Sequence, residues 1–152
     1  MDRRCGRLLG LLMALYFAYG SNMDLIQMSN RCERAATVGI AKLASYRFII
    51  NSHGVATVVP DPAAAVEGLL WRITDEDECS LDHYEGVNQG IYRKAFVELE
   101  TQDGRRIKAL IYIAADSAPG MPRPGYLEEI ISAAESCGLP GAYVDQLKPW
   151  LP

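Results

Sequence analysis

Ile91-Tyr92-Arg93-Lys94-Ala95-Phe96-Val97-Glu98-Leu99-Glu100-Thr101 and Arg106-Ile107-Lys108-Ala109-Leu110-Ile111-Tyr112-Ile113-Ala114-Ala115 stand on either side of Gln102-Asp103-Gly104-Arg105. Both runs are rich in residues that fit a pleated, half-buried surface. Asp-Gly supplies the positive φ angles of a tight hairpin. The two runs therefore read as antiparallel strands, and their arrangement with the elements around them decides the fold. Arg105, Arg106 and Lys108, beside the turn, read as edge-strand charges that keep it soluble rather than as a binding patch.

Working back toward the N-terminus, Gly68 to Ile73 reads as a buried strand. It runs into Thr74, whose hydroxyl can cap a helix carrying Asp75, Glu76, Asp77 and Glu78 in its first turn. That acidic run reads as a solvated helix start complementing the dipole, not as a cation site. The helix is expected to stop at Tyr84-Glu85-Gly86, with glycine in the left-handed conformation. Ala36–Ala44, Tyr46–Asn51 and Val55–Pro60 are three further extended stretches, and Pro60-Asp61-Pro62 is expected to break the chain. Ala14 to Tyr19 is strand-like and ends in the turn Gly20-Ser21-Asn22. A short helix over Met23–Met28 follows, with Asp24 in its first turn. Toward the C-terminus, a helix from Gly125 to Cys137 carries Tyr126, Leu127, Ile130, Ile131 and Ala134 on one stripe, and Gly138 and Pro140 stop it. Tyr143 to Leu147 is a last short helix, with Trp150 as a packing anchor. Strands with interposed rather than alternating helices make the fold class α+β, with a mixed sheet able to curl into a small barrel.

At 152 residues, 49% hydrophobic and 22% charged, the chain has the size and apolar content of a single domain and not of a disordered or fibrous protein. Net charge −4 creates no general field toward nucleic-acid phosphates or anionic lipid. The cysteines Cys5, Cys32, Cys79 and Cys137 are scattered singly, without the close pairs of zinc or redox motifs. They are expected to be free thiols in a reducing compartment, the cytoplasm. Cys79 and His83, spaced i, i+4, can share a helix face, but a closed metal site needs three or four ligands, so no metal is expected. Arg3, Arg4 and Arg7 precede an apolar run from Leu8 to Ala18 that is too short to span a bilayer. It reads either as a cleaved signal or as an extension, residues 1–12, before a domain over 13–152. The extension is favoured, because cleavage after Ala18 or Gly20 removes a strand from a small core.

Gly-x-Ser-x-Gly, Gly-x-x-x-x-Gly-Lys and Gly-x-Gly-x-x-Gly motifs do not occur, which argues against serine-elbow hydrolases, P-loop enzymes and dinucleotide enzymes. Two features with chemical content remain. The turn Tyr19-Gly20-Ser21-Asn22 offers backbone N–H groups to an anion, although Ser21 or Asn22 capping the next helix explains it equally. Glu85 stands at a helix C-terminus, the wrong end for a carboxylate. The dipole and Asp82 one turn earlier are expected to raise its pKa toward that of a general acid/base. The competing reading is an exposed acid at a fraying terminus.

Tyr16-Phe17-Ala18-Tyr19-Gly20-Ser21-Asn22-Met23, Gly68-x-x-Trp71, Leu81-Asp82 with Glu85-Gly86, Gly90-Ile91-Tyr92 with Lys94, and Pro124-Gly125-Tyr126 together resemble the γ-glutamylcyclotransferase family in its own order, over about Leu15 to Leu147. The resemblance implies a small mixed β-barrel with flanking helices. It also implies conversion of γ-glutamyl amino acids to 5-oxoproline and the free amino acid, without metal or organic cofactor. Glu85 matches the catalytic acid/base. Tyr16, Phe17, Ala18, Tyr19, Gly20 and Ser21 match the substrate-binding loop, with Asn22 completing its motif, and Tyr126 and Tyr92 match the cavity lining. The implied partner is a small γ-glutamyl substrate, with neither nucleic acid nor membrane, and a homodimer is left open. Relatives of this kind act on glutathione, γ-glutamylamines or a γ-glutamyl-protected intermediate, and a binding-only module is a further alternative.

Overall fold

The computed structural model describes residues 13–152, and the hairpin around Asp103-Gly104 is present as β4 (Tyr92–Thr101) and β5 (Arg106–Ala114). Their ladder runs from Tyr92↔Ala114 to Glu100↔Arg106, and Gly104 takes φ 83° in the turn. The remaining strands are β1 (Met13–Ala18), β2 (Ala36–Ile50) and β3 (Ala56–Thr74). β3 is the spine: β1 lies antiparallel on one side, from Met13↔Thr74 to Ala18↔Leu69, and β2 lies antiparallel on the other. β2 reaches β4 through Ala41↔Thr101 and Lys42↔Glu100. β1 runs parallel to β5 at Tyr16↔Leu110, closing a barrel in the order β1-β3-β2-β4-β5. The fold is α+β, a small mixed barrel with flanking helices. Closure gives β4 and β5 neighbours on both sides, so Arg105, Arg106 and Lys108 are exposed at the hairpin end instead of along an open edge, and Arg106 pairs with Glu98 there.

Two local expectations are corrected. The stretches Ala36–Ala44 and Tyr46–Asn51 are one strand, with Ser45 in a left-handed bulge at φ 65°. Pro60-Asp61-Pro62 does not break the chain but lies inside β3. The β2–β3 ladder passes directly from Ala44↔Ala65 to Tyr46↔Pro60. Residues 61–64 therefore arch out of the pairing, where a proline without an N–H forfeits no ladder bond.

The helices are α1 (Leu25–Arg31), α2 (Asp75–Tyr84), α3 (Tyr126–Cys137) and α4 (Gly141–Leu147), with short 3₁₀ turns at Ser21–Met23, Val87–Gln89 and Lys148–Trp150. The helix expected over Met23–Met28 starts later because Asp24 is its cap, accepting hydrogen bonds from the Ile26 and Gln27 amides. Thr74 caps α2 as expected, in a reciprocal box with Asp77. α3 buries Leu127, Ile130, Ile131 and Ala134 against the barrel end, each large aliphatic side chain contributing about 1.5–3 kcal/mol. No described helix is long and apolar enough to cross a membrane.

Cys32 and Cys137 are free, but Cys79 is disulfide-bonded. This corrects the expectation of four free thiols, because pairing of scattered cysteines is set by proximity in the fold, which spacing along the chain does not reveal. The inference of a reducing compartment loses its premise there. Cys5, the basic residues Arg3, Arg4 and Arg7 and the proposed extension lie outside the described residues.

Gly68 sets the position of the segment that follows β1. A Cβ at this residue would lie 2.5 Å from the Ala18 carbonyl oxygen and 2.7 Å from the Phe17 ring. Only glycine lets β1 and β3 approach so closely at the end of β1, where the chain leaves Ala18.

Candidate active site

Beyond Ala18 the chain turns through Tyr19 and Gly20 into the 3₁₀ turn Ser21–Met23. Ser21 and Asn22 do not cap α1, and Asn22 is instead a buried hub. Its Nδ2 donates to the Tyr16 hydroxyl at 2.9 Å and to Glu85 Oε1 at 3.4 Å. Its Oδ1 accepts from Gln27 Nε2 at 3.1 Å and Arg31 Nη1 at 2.9 Å. Its backbone carbonyl accepts from the Trp71 indole at 3.1 Å. With side chain and carbonyl both engaged, the turn is pinned to β1, β3, α1 and the end of α2. Among the described residues, the backbone N–H groups of Gly20 and Ser21 donate to no protein acceptor.

Glu85 is the C-cap of α2. Its amide donates to the Leu81 carbonyl at 2.8 Å, and Gly86 follows in the left-handed conformation at φ 63°. The carboxyl group is half-buried, not splayed from a fraying end. Burial pushes its pKa from 4.5 up to about 7, with the Arg31 charge pulling weakly the other way. The expected direction holds, but the cause differs from Asp82. That carboxylate accepts from the Tyr112 hydroxyl at 2.7 Å and pairs with Lys94 at 3.0 Å, and Lys94 also bonds Glu78.

Tyrosines complete the pocket. Tyr19 donates its hydroxyl to the Tyr112 carbonyl at 2.5 Å. The Tyr16 and Tyr112 rings meet edge-on with centroids 5.7 Å apart. Tyr92 donates to the Ala56 carbonyl at 2.6 Å, and Tyr126 accepts from the Ala56 amide at 3.0 Å, so one residue of β3 is held from both sides. Burial raises the pKa of Tyr16, Tyr19, Tyr92 and Tyr112, and pushes Tyr126 up to about 12. All five are neutral hydroxyls in the physiological range.

These groups surround a narrow polar pocket lined by Tyr16, Tyr19, Gly20, Ser21, Asn22, Ala56, Glu85, Tyr92, Tyr112 and Tyr126. It adjoins a cleft of about 550 Å³, whose lining shares Ser21, Glu85, Tyr92 and Tyr126 with the pocket. A hollow of about 600 Å³ lies elsewhere, among Met23, Leu25, Val38 and Leu69. Its titratable groups, Asp24 and Cys137, are occupied as a helix cap and as a donor to the Met23 carbonyl. It offers no acid/base group, so the Glu85 pocket is the candidate site.

A sequence model of the AIG2-like family matches residues 65–147. γ-Glutamylcyclotransferases from Mus musculus and Homo sapiens are 30% and 31% identical to the chain over 144 residues, 88% of this chain and 77% of each relative. The chain belongs to the γ-glutamylcyclotransferase family. A solved γ-glutamyl cyclotransferase structure matches with a TM-score of 0.85 at 31% identity, over 90% of this chain and 87% of that one. The γ-glutamylcyclotransferases are enzymes, and this chain carries the family's fold around an acid of perturbed pKa.

The structure brings together eight residues picked out from the sequence: Tyr16, Tyr19, Gly20, Ser21, Asn22, Glu85, Tyr92 and Tyr126. Phe17 and Ala18 are buried but do not line the pocket, since they serve the close crossing at Gly68. Sequence reasoning missed Tyr112, the Ala56 backbone and Arg31. Tyr112 sits in an apolar strand and looks like a core aromatic. The available signal for Arg31 was its i, i+4 spacing from Gln27, which puts both donors on one helix face.

Proposed function

We propose that the protein is a γ-glutamylcyclotransferase that releases 5-oxoproline and a free amino acid from γ-glutamyl amino acids, with Glu85 as general acid/base. The observation carrying this reading is the half-buried Glu85 carboxyl, with pKa about 7, at the junction of a polar pocket and a wide cleft. The substrate supplies its own nucleophile, the α-amine, so no serine or cysteine is required. The pocket's task is to fold the glutamyl chain. Well-oriented intramolecular attack lowers the barrier by as much as roughly 7–11 kcal/mol relative to a bimolecular step. The free amides of Gly20 and Ser21 are the donors for a substrate carboxylate or for the oxyanion on the γ-carbonyl.

The proton balance fits a single carboxyl group. The α-ammonium loses two of its three protons as it becomes the ring N–H, and the leaving nitrogen gains two as it becomes an ammonium. Glu85 takes the first proton, and the amine attacks the γ-carbonyl carbon. As the tetrahedral intermediate collapses, the bond to the leaving nitrogen breaks and Glu85 relays protons to it. The α-ammonium stands beside a free α-carboxylate and is a weaker acid than a peptide N-terminus, so a carboxylate raised from 4.5 to about 7 is a better-matched base for it than an ordinary glutamate. Asn22, itself held by Arg31, bonds the carboxylate, and the tyrosine hydroxyls stay neutral around it.

The test is to incubate the protein with γ-glutamyl dipeptides, γ-glutamyl-lysine and glutathione and to measure 5-oxoproline by mass spectrometry. Release by wild type, reduced about 10²- to 10⁴-fold in Glu85→Gln, is the expected result. Equal turnover by the variant overturns the role of Glu85. No release from any substrate by the folded protein overturns the function.

A further inference from the structure

Two arginines line the wide cleft beside Glu85, and among the described residues neither has a carboxylate partner within ion-pair distance. Arg31 is committed to the site's own architecture, with Nη1 on Asn22 and its guanidinium 4.5 Å above the Tyr84 ring. Arg123, on the segment between β5 and α3, is held differently. Its backbone amide donates to the Gly54 carbonyl at 3.1 Å, and its Nε donates to the His53 carbonyl at 3.0 Å. Those two bonds fix the stem of the side chain and leave the end-on pair of Nη groups uncommitted, the fork that binds a carboxylate in bidentate fashion. Its positive charge is felt at the hydroxyls of Tyr92 and Tyr126, which line both the pocket and the cleft. The cleft's other acid, Asp116, is turned away into Ser52, the Ala118 amide and His53.

Accepting the cyclotransferase reading, on which this inference rests, a γ-glutamyl amino acid carries two carboxylates. One belongs to the glutamyl part, which cyclises in the pocket, and the other to the amino acid that departs. We infer that Arg123 receives the carboxylate of the departing amino acid in the cleft, making this enzyme selective for γ-glutamyl amino acids over γ-glutamylamines, which lack that group. The leaving nitrogen then lies between the Glu85 proton and the Arg123 fork, and neutral substrates of the same length lose the outer contact alone.

The experiment measures steady-state kinetics of wild type, Arg123→Gln and Arg123→Lys on γ-glutamyl-alanine and γ-glutamyl-ethylamide. A charge-assisted contact predicts that the kcat/KM ratio of alanine to ethylamide substrate falls about 10- to 100-fold in Arg123→Gln. The loss should lie in KM rather than kcat, with partial recovery in Arg123→Lys. An equal loss on both substrates, a loss confined to kcat, or an unchanged ratio overturns the inference while leaving the cyclotransferase reading standing. Absence of turnover by wild type on either substrate and on the wider γ-glutamyl panel overturns that reading, and this inference with it.

Discussion

Glu85→Gln should make the protein more stable than wild type at neutral pH, and the gap should depend on pH in a way set by one number. A carboxyl with pKa 4.5 in the unfolded chain and about 7 in the folded one keeps its proton in the native state over a range where the unfolded chain has lost it. Its contribution to wild-type stability is therefore fully present below about pH 4.5 and is lost as pH rises to about 7. Beyond that it levels off. The rise from 4.5 to about 7 corresponds to about 3 kcal/mol. Glutamine keeps the side-chain length and an oxygen that accepts from Asn22 Nδ2, and it has no charge to desolvate. Below pH 4.5 wild type and variant should differ little. At pH 8 the variant's relative advantage should reach about 3 kcal/mol, or roughly 6–12 °C in Tm for a chain of this size. Urea denaturation of both proteins at pH 4.5, 6, 7 and 8 measures this without any substrate. A gap that stays constant across the series refutes the claim that burial raises the Glu85 pKa.

The same titration should appear in catalysis: kcat/KM should fall about tenfold per pH unit below about pH 7, and an acid limb near 4.5 instead would overturn the raised Glu85 pKa. Asn22→Leu strands donors and acceptors on Tyr16, Glu85, Gln27 and Arg31, so it should cost about 1–3 kcal/mol in chemical denaturation and, through a misplaced Glu85, about 10²-fold in kcat. Gly68→Ala forces a methyl group against the Ala18 carbonyl and the Phe17 ring and should lower stability by about 1–3 kcal/mol, read as a shift in the urea midpoint. Tyr126→Phe leaves the Ala56 amide without its acceptor and should lower Tm by roughly 2–4 °C, about 1 kcal/mol.

The parts of the fold legible in the sequence are those governed by local chemistry. The Asp103-Gly104 hairpin, the Thr74 cap, the Gly86 stop and the stripe on α3 are each decided within a few residues. The failures share a different origin. Pro60-Asp61-Pro62 looks like a break because its tolerance depends on β2 skipping residues 61–64, which is information carried by the partner strand. Asp24 outcompeted Ser21 and Asn22 as the α1 cap because Asn22 was claimed by Tyr16, Glu85 and Arg31, contacts up to 63 residues away. For the site, the loop's free donors and the helix-end position of Glu85 were legible from the residues, but which role each plays was suggested only by the motif resemblance. The upward direction of the Glu85 shift was expected from helix position, but its cause, burial of the carboxyl, is tertiary. The disulfide at Cys79 lay beyond spacing arguments for the same reason.

The barrel is closed by the parallel contact of Tyr16 with Leu110, and Tyr16 also holds Asn22, which holds Glu85. The seam of the barrel and the floor of the pocket are thus the same residue. A chain synthesised from its N-terminus exposes this strand first, yet the strand cannot dock along its full length until the β3 partner ending at Thr74 exists, nor seal against β5 until Leu110 has been made. The pocket is therefore completed late in assembly: a nascent or partly unzipped molecule can hold the β4–β5 hairpin and the α2 helix and still lack the hydrogen-bonded chain from Tyr16 through Asn22 to Glu85.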